Sequence, residues 1–135
     1  MIIRSTAYPL IFLALLFGLP NSGYSLKGNC QDLKTGKFKI VNRELEMTSF
    51  ITRTTDTQIE DIPSIGLKIK FKVIWVDSCT YQLKYLETLK NERNLEYPVE
   101  GIVTVQIVSI KGNSHFIKTT DNLTSQETLM EVLER

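Results

Sequence analysis

Arg53, Gln58 and Glu60 come nearest to a chemical site in type and spacing. A guanidinium offers a planar fork of donors, and an amide and a carboxylate offer acceptors. Gathered inside a barrel, the three could hold the polar head of a ligand. If the Thr55-Asp56 region turns, Arg53 faces Glu60 across a hairpin. The alternative is an ordinary cross-strand ion pair of little energetic weight. Trp75 and Tyr81 flank a second candidate region, the Asp77-Ser78-Cys79 corner. With Tyr85 they either line an apolar pocket or fill the core around a disulfide.

Catalytic constellations are missing from the chain. His115 is the single histidine, and no G-x-S-x-G elbow supplies a nucleophile for it. Its place beside Phe116 near a turn reads as a surface position. Glycoside hydrolysis needs two acids at a set separation, and nothing selects such a pair among the 15 present. One histidine and two cysteines fall short of a structural zinc site. The expectation is therefore a protein that is not an enzyme, with no cofactor and no metal. A cryptic hydrolase ranks last among the readings.

The elements that must position these residues alternate with period two, the mark of half-buried strands. Lys34-Thr35-Gly36 turns into Lys37–Val41, where Phe38 and Ile40 share a face. Met47–Thr54 follows, then Thr57–Glu60 as a continuation or short strand, before Pro63 interrupts pairing. Leu67–Val76 is the clearest strand. Leu67, Ile69, Phe71, Val73 and Trp75 alternate with Lys68, Lys70 and Lys72. Ile74 and Val76 make its far end apolar on both faces, which predicts cover on both sides. The next strand carries Cys79, Tyr81, Leu83 and Tyr85. A charged loop at Lys90–Glu96, a strong strand at Val99–Ile110, a tight turn at Lys111-Gly112-Asn113 and a return at Ser114–Thr119 complete the set. In the tail, Thr124-Ser125-Gln126-Glu127 matches a capping box, and Leu129, Met130, Val132 and Leu133 fall on one helical stripe. The predicted fold is mainly β. It is an antiparallel meander of six or seven strands curled into a small barrel or half-barrel, with a short C-terminal helix.

Compartment follows from the N-terminus. Arg4, the apolar run Leu10–Leu19 and the small residues Gly23 and Ser25 have the layout of a signal peptide, with cleavage expected after Ser25. The domains are then 1–25, signal peptide, and 26–135, exported β-rich domain. The apolar run is roughly half the length of a spanning helix, so no membrane span is expected after cleavage. The product is expected to be periplasmic or secreted. An outer-membrane lipoprotein anchored through Cys30 is the minority alternative, since Asn29 stands where a lipobox has a small residue. In an oxidising compartment Cys30 and Cys79 read as a disulfide. Loss of Arg4 with the leader leaves acidic and basic side chains balanced. No net field draws nucleic acid, and Lys68, Lys70 and Lys72 read as a solvated face.

Cys30, Lys34-Thr35-Gly36-Lys37-Phe38, Arg53, Gln58-Ile59-Glu60 and Trp75-Val76-Asp77-Ser78-Cys79-Thr80-Tyr81 occur in a telling order. The chain resembles short exported proteins of Bacteroidetes-type bacteria with the pattern C…KTGxF…R…QxE…WxxxCxY. That resemblance implies an exported domain of unassigned function. Some members carry a type II DNA topoisomerase label. This chain has no tyrosine-nucleophile domain and no basic groove to match it. The leading expectation is a non-enzymatic exported binding domain for a small amphipathic ligand, with Arg53, Gln58, Glu60, Trp75 and Tyr81 as binding residues. The competing reading is a protein-interaction or envelope-structural module that docks an envelope protein through a sheet edge or the Lys90–Glu96 loop.

Overall fold

Period-two alternation carries nearly all of the chain described by the structure, a computed structural model covering residues 29–121 and 124–135. The expected leader at 1–25 lies outside the described residues. A 3-10 turn at Cys30–Leu33 leads into eight strands: β1 Gly36–Asn42, β2 Met47–Arg53, β3 Thr57–Ile62, β4 Leu67–Asp77, β5 Thr80–Asn91, β6 Ile102–Lys111, β7 Ser114–Thr120 and β8 Ser125–Glu134. Every strand pairs antiparallel with its neighbour in sequence, and β8 closes on β1. The architecture is a closed up-and-down barrel, with β1 and β8 paired so that neither flanks an open edge.

Two expectations about the fold need correction. Among the described residues the strand count is eight, not six or seven, and the tail is β8, not a C-terminal helix. Gln126, Thr128, Met130 and Val132 alternate as faithfully as the helical stripe repeats, so the tail is locally ambiguous. Tertiary pairing decides it. β8 bonds β7 from Ser125 to Glu131 and reaches β1 through Phe38↔Val132, satisfying backbone groups on both sides. In place of a capping box, the Asp121 carboxylate accepts from the Thr124 N–H at 2.8 Å. Closure also explains a third difference. Ile74 and Val76 face outward and are exposed, because no second layer covers the outside of the barrel.

The meander gives the barrel two unlike ends. At one end lie the Cys30–Leu33 turn, the β2–β3, β4–β5 and β6–β7 turns, and the C-terminus. The Cys30–Cys79 disulfide joins two of these pieces. Leu33, Phe38, Ile51, Val73, Tyr81, Ile107 and Met130 fill the space behind it as a buried core. A register shift at Ile107–Ser109 lets β6 turn Ile110 inward after Val103, Val105 and Ile107, which keeps this end full. The opposite end carries the β1–β2 turn, the Pro63–Ile65 3-10 turn and the long 92–101 connection. There the core thins out.

Candidate functional site

Alternation at the end of β2 points Ile51 and Arg53 inward and Thr52 outward. A charged guanidinium is thereby placed in the core, where it is 2% exposed. Four of its five N–H donors are taken by the protein. Nε–H donates to Gln58 Oε1 at 2.8 Å, Nη1 to the Leu33 carbonyl at 2.8 Å, and Nη2 to the Tyr81 hydroxyl at 2.7 Å and Met130 Sδ at 3.9 Å. The guanidinium carbon lies 4.7 Å from the Phe38 ring centroid and 4.5 Å from that of Tyr81. Burial lowers the Arg53 pKa, partly offset by Tyr81, yet a guanidinium remains charged in proteins. The same burial raises the Tyr81 phenol; Arg53 opposes that shift and Glu60 adds to it. The phenol therefore stays protonated.

The expected Arg53–Glu60 pair does not form. The β2–β3 turn closes with the Thr54 N–H donating to the Thr57 carbonyl at 2.9 Å. That register sets Arg53 opposite Gln58 and Glu60 opposite Ile51. Glu60 stands further along the barrel towards the open end. Burial raises its pKa above the usual carboxylate range, an effect that the Ser49 hydroxyl on the same cavity wall partly offsets. Among the described residues no cation pairs with it.

Above the Arg53 layer the barrel encloses a cavity of about 360 Å³. Gln58, Tyr81, Ile51, Val105, Ile117 and Met130 form its floor. Ile40, Phe71, Leu83 and Val103 form apolar walls. Ser49, Glu60, Thr119, Gln126 and Thr128 add polar groups, and Asn42, Met47 and Ile62 stand towards the open end. A second cavity of about 340 Å³ adjoins it at Phe71, Leu83 and Val103. That one is lined chiefly by Ile69, Tyr85, Tyr97, Pro98, Val99 and Ile102. It exists because β5 pairs with β6 only over Thr80–Lys84, so the two strands diverge and the 92–101 connection spans the gap. The connection is tied down. Asn91 brackets Leu95, accepting its N–H and donating to its carbonyl at 2.9 Å each, and the hydroxyls of Tyr85 and Tyr97 both bond Thr88. Residues expected in a hairpin loop from Lys90 are thus partly strand, since β5 runs to Asn91.

Of the five residues singled out from sequence, Gln58, Glu60 and Tyr81 line the inner cavity. Arg53 sits beneath it as part of the floor's support. Trp75 packs against the core with its ring centroid 4.7 Å from Tyr81, and Lys34 lies 4.9 Å over its indole. Its Nε1 is buried without a hydrogen-bond partner. His115, expected at the surface, is 1% exposed. It meets Phe38 edge-on at 5.8 Å, and neither ring nitrogen finds a hydrogen bond. Burial, then the nearby charges of Arg53 and Arg135, push its pKa down to about 4, so it is neutral at pH 7. The reason is parity: β7 turns His115, Ile117 and Thr119 inward and leaves Phe116 outside. Sequence reasoning missed Ser49, Thr119, Gln126 and Thr128. Their one signal was strand alternation, which the helical reading of the tail hid for the last two.

Among the described residues no group of acidic, histidine and cysteine side chains could hold a metal ion. No helix among them is long and apolar enough to cross a membrane. The arrangement suits binding: a sealed floor, apolar walls, a few hydrogen-bonding groups and an open end. No family model matches this chain, and no curated protein or solved structure matches it significantly.

Proposed function

We propose that the chain is a non-enzymatic exported carrier that holds a small amphipathic molecule inside its barrel. The observation that carries this reading is the pair of adjoining cavities between a filled end and an open one. Their volumes, about 360 and 340 Å³, fall in the range of small-molecule sites, and their walls are mostly apolar with a few convergent polar groups. A barrel evolved for stability alone would fill this space, because each void forfeits packing. Gln58, Glu60 and Tyr81 are the proposed contacts from the polar set, with Arg53 and Trp75 supporting the floor. The carrier works in the periplasm or as a secreted protein. The signal-like leader and the Cys30–Cys79 bond support that compartment. The bond also occupies the sulfur that a lipid anchor would use, which speaks against the lipoprotein alternative.

Native mass spectrometry of the protein isolated from its own envelope fraction tests the reading. A reproducible added mass that leaves on denaturation is the expected result. A bare polypeptide under gentle conditions, with no uptake of an uncharged hydrophobic fluorophore, would sink it. The same spectrum reports cleavage after Ser25 and any attached lipid. The competing reading, a module that docks an envelope protein, draws on one observation. Phe116 and Leu129 are cross-strand partners on the outer face, and both are exposed.

A further inference from the structure

Resting on the carrier reading, we propose that the barrel selects a cationic head group: Glu60, and not Arg53, is the charged contact, and the ligand is an amphiphilic amine. Arg53 is the obvious anchor for an anionic head, but it is not available. Four of its N–H positions point at Gln58, Leu33, Tyr81 and Met130, and the Phe38 and Tyr81 rings approach the guanidinium. It supports the floor and is absent from the cavity wall. An anion would have to break this set to reach it.

Glu60 is the one formally charged side chain among the described residues lining the inner cavity. The group beside it, the Ser49 hydroxyl, is neutral, and no cation among the described residues pairs with it. A carboxylate in a mostly apolar chamber is costly unless paired, and a ligand ammonium would complete it. Burial already holds its proton more tightly than usual, as expected of a carboxylate without a counter-ion. Thr128 and Gln126 line the same cavity and offer further acceptors for ammonium protons. The apolar tail then runs towards Phe71, Leu83 and the outer cavity beside Tyr85 and Tyr97.

The charge around the open end agrees. Its turns and connections carry Glu44, Glu46, Glu96 and Glu100, besides a Lys90–Glu92 pair, against Arg43 and Arg93. An acidic rim over a low-dielectric chamber concentrates cations and repels anions. This bias is local, since the chain as a whole is close to neutral.

Three ligands of equal tail length decide the matter: decylamine, decanol and decanoate, each displacing N-phenylnaphthylamine from the full exported protein. The expected order is decylamine first, by about ten-fold over decanol, with decanoate weakest, as a charge-assisted contact predicts. Glu60→Gln should erase the amine preference, bringing decylamine to within about two-fold of decanol on the same variant. Decanoate binding as well as decylamine, or an amine preference that survives Glu60→Gln, overturns the assignment and leaves the carrier intact. Failure of the fluorophore and all three ligands to bind removes the carrier reading itself. Should Glu60→Gln not fold, the ranking on the parent protein decides, because it needs no variant.

Discussion

Arg53 shows how a buried charge becomes a structural part. It joins β2, β3, β5, β8 and the N-terminal turn through one planar group, which a lysine cannot imitate with a point charge on a flexible stem. Arg53→Lys is expected to lower stability by about 2–3 kcal/mol, measured from the urea midpoint, because it strands the Leu33 carbonyl or Gln58. A loss under about 0.5 kcal/mol would mean that the guanidinium is not integral to the core. His115 makes a prediction in pH. Its folded pKa, about 4, lies below the ordinary 6.5, so the unfolded chain binds more protons between those values. Stability that it leaves intact above pH 6.5 is lost as pH falls towards 4. Glu60 acts oppositely: its raised pKa means that the folded state gains stability as pH falls through that value. Comparison with His115→Leu isolates the histidine. From neutral pH to pH 4 the variant should gain about 2 kcal/mol on the parent, allowing for screening. A constant difference across that range would show a histidine free to protonate in place.

At the scale of elements, β8 decides the topology, and Gly36 at the start of β1 reports on it. Gly36 has φ +135°, and a Cβ there would lie 2.5 Å from the Glu134 carbonyl oxygen. Gly36→Ala therefore meets both backbone strain and a collision with β8. The expected cost is about 2–3 kcal/mol by thermal or urea unfolding. If the tail instead packed as a helix, the collision would vanish and only the smaller backbone penalty would remain. Hydrogen exchange gives an independent reading. The Val132 amide, which donates to the Asn113 carbonyl at 2.7 Å, should be protected. The tail illustrates why elements are partly illegible in sequence. Gln126, Thr128, Met130 and Val132 satisfy a strand, while Leu129, Met130, Val132 and Leu133 satisfy a helix. A short segment carrying both patterns is settled by the neighbours it pairs with.

The described residues form a cup, closed by the Cys30–Leu33 turn, the C-terminal residues and a disulfide, and open where the longest connection crosses a gap in pairing. The disulfide spans a sequence separation of 49 and ties the N-terminal turn to the β4–β5 corner. Replacing both cysteines by alanine should cost about 4 kcal/mol on the loop-entropy account, read from the urea midpoint. It should also loosen the Leu33 carbonyl from Arg53, so Cys30→Ala/Cys79→Ala and Arg53→Lys should be less than additive. Strict additivity would argue that the turn holds Arg53 without help from the bond.

Sequence alone determined the strand-rich character of this protein, the placement of most turns, and the cysteine pair. These depend on local alternation, on proline and glycine, and on there being two cysteines to join. Of the five residues it singled out, Gln58, Glu60 and Tyr81 line the inner cavity, whereas Arg53 and Trp75 do not. Tertiary structure alone decided closure by β8, the burial of His115, and the separation of Arg53 from Glu60. Each of these depends on register between strands, and a shift of a single residue exchanges the faces. One strand shows which residues share a side. Only the paired barrel shows which side faces the cavity, and how deep along it each residue lies.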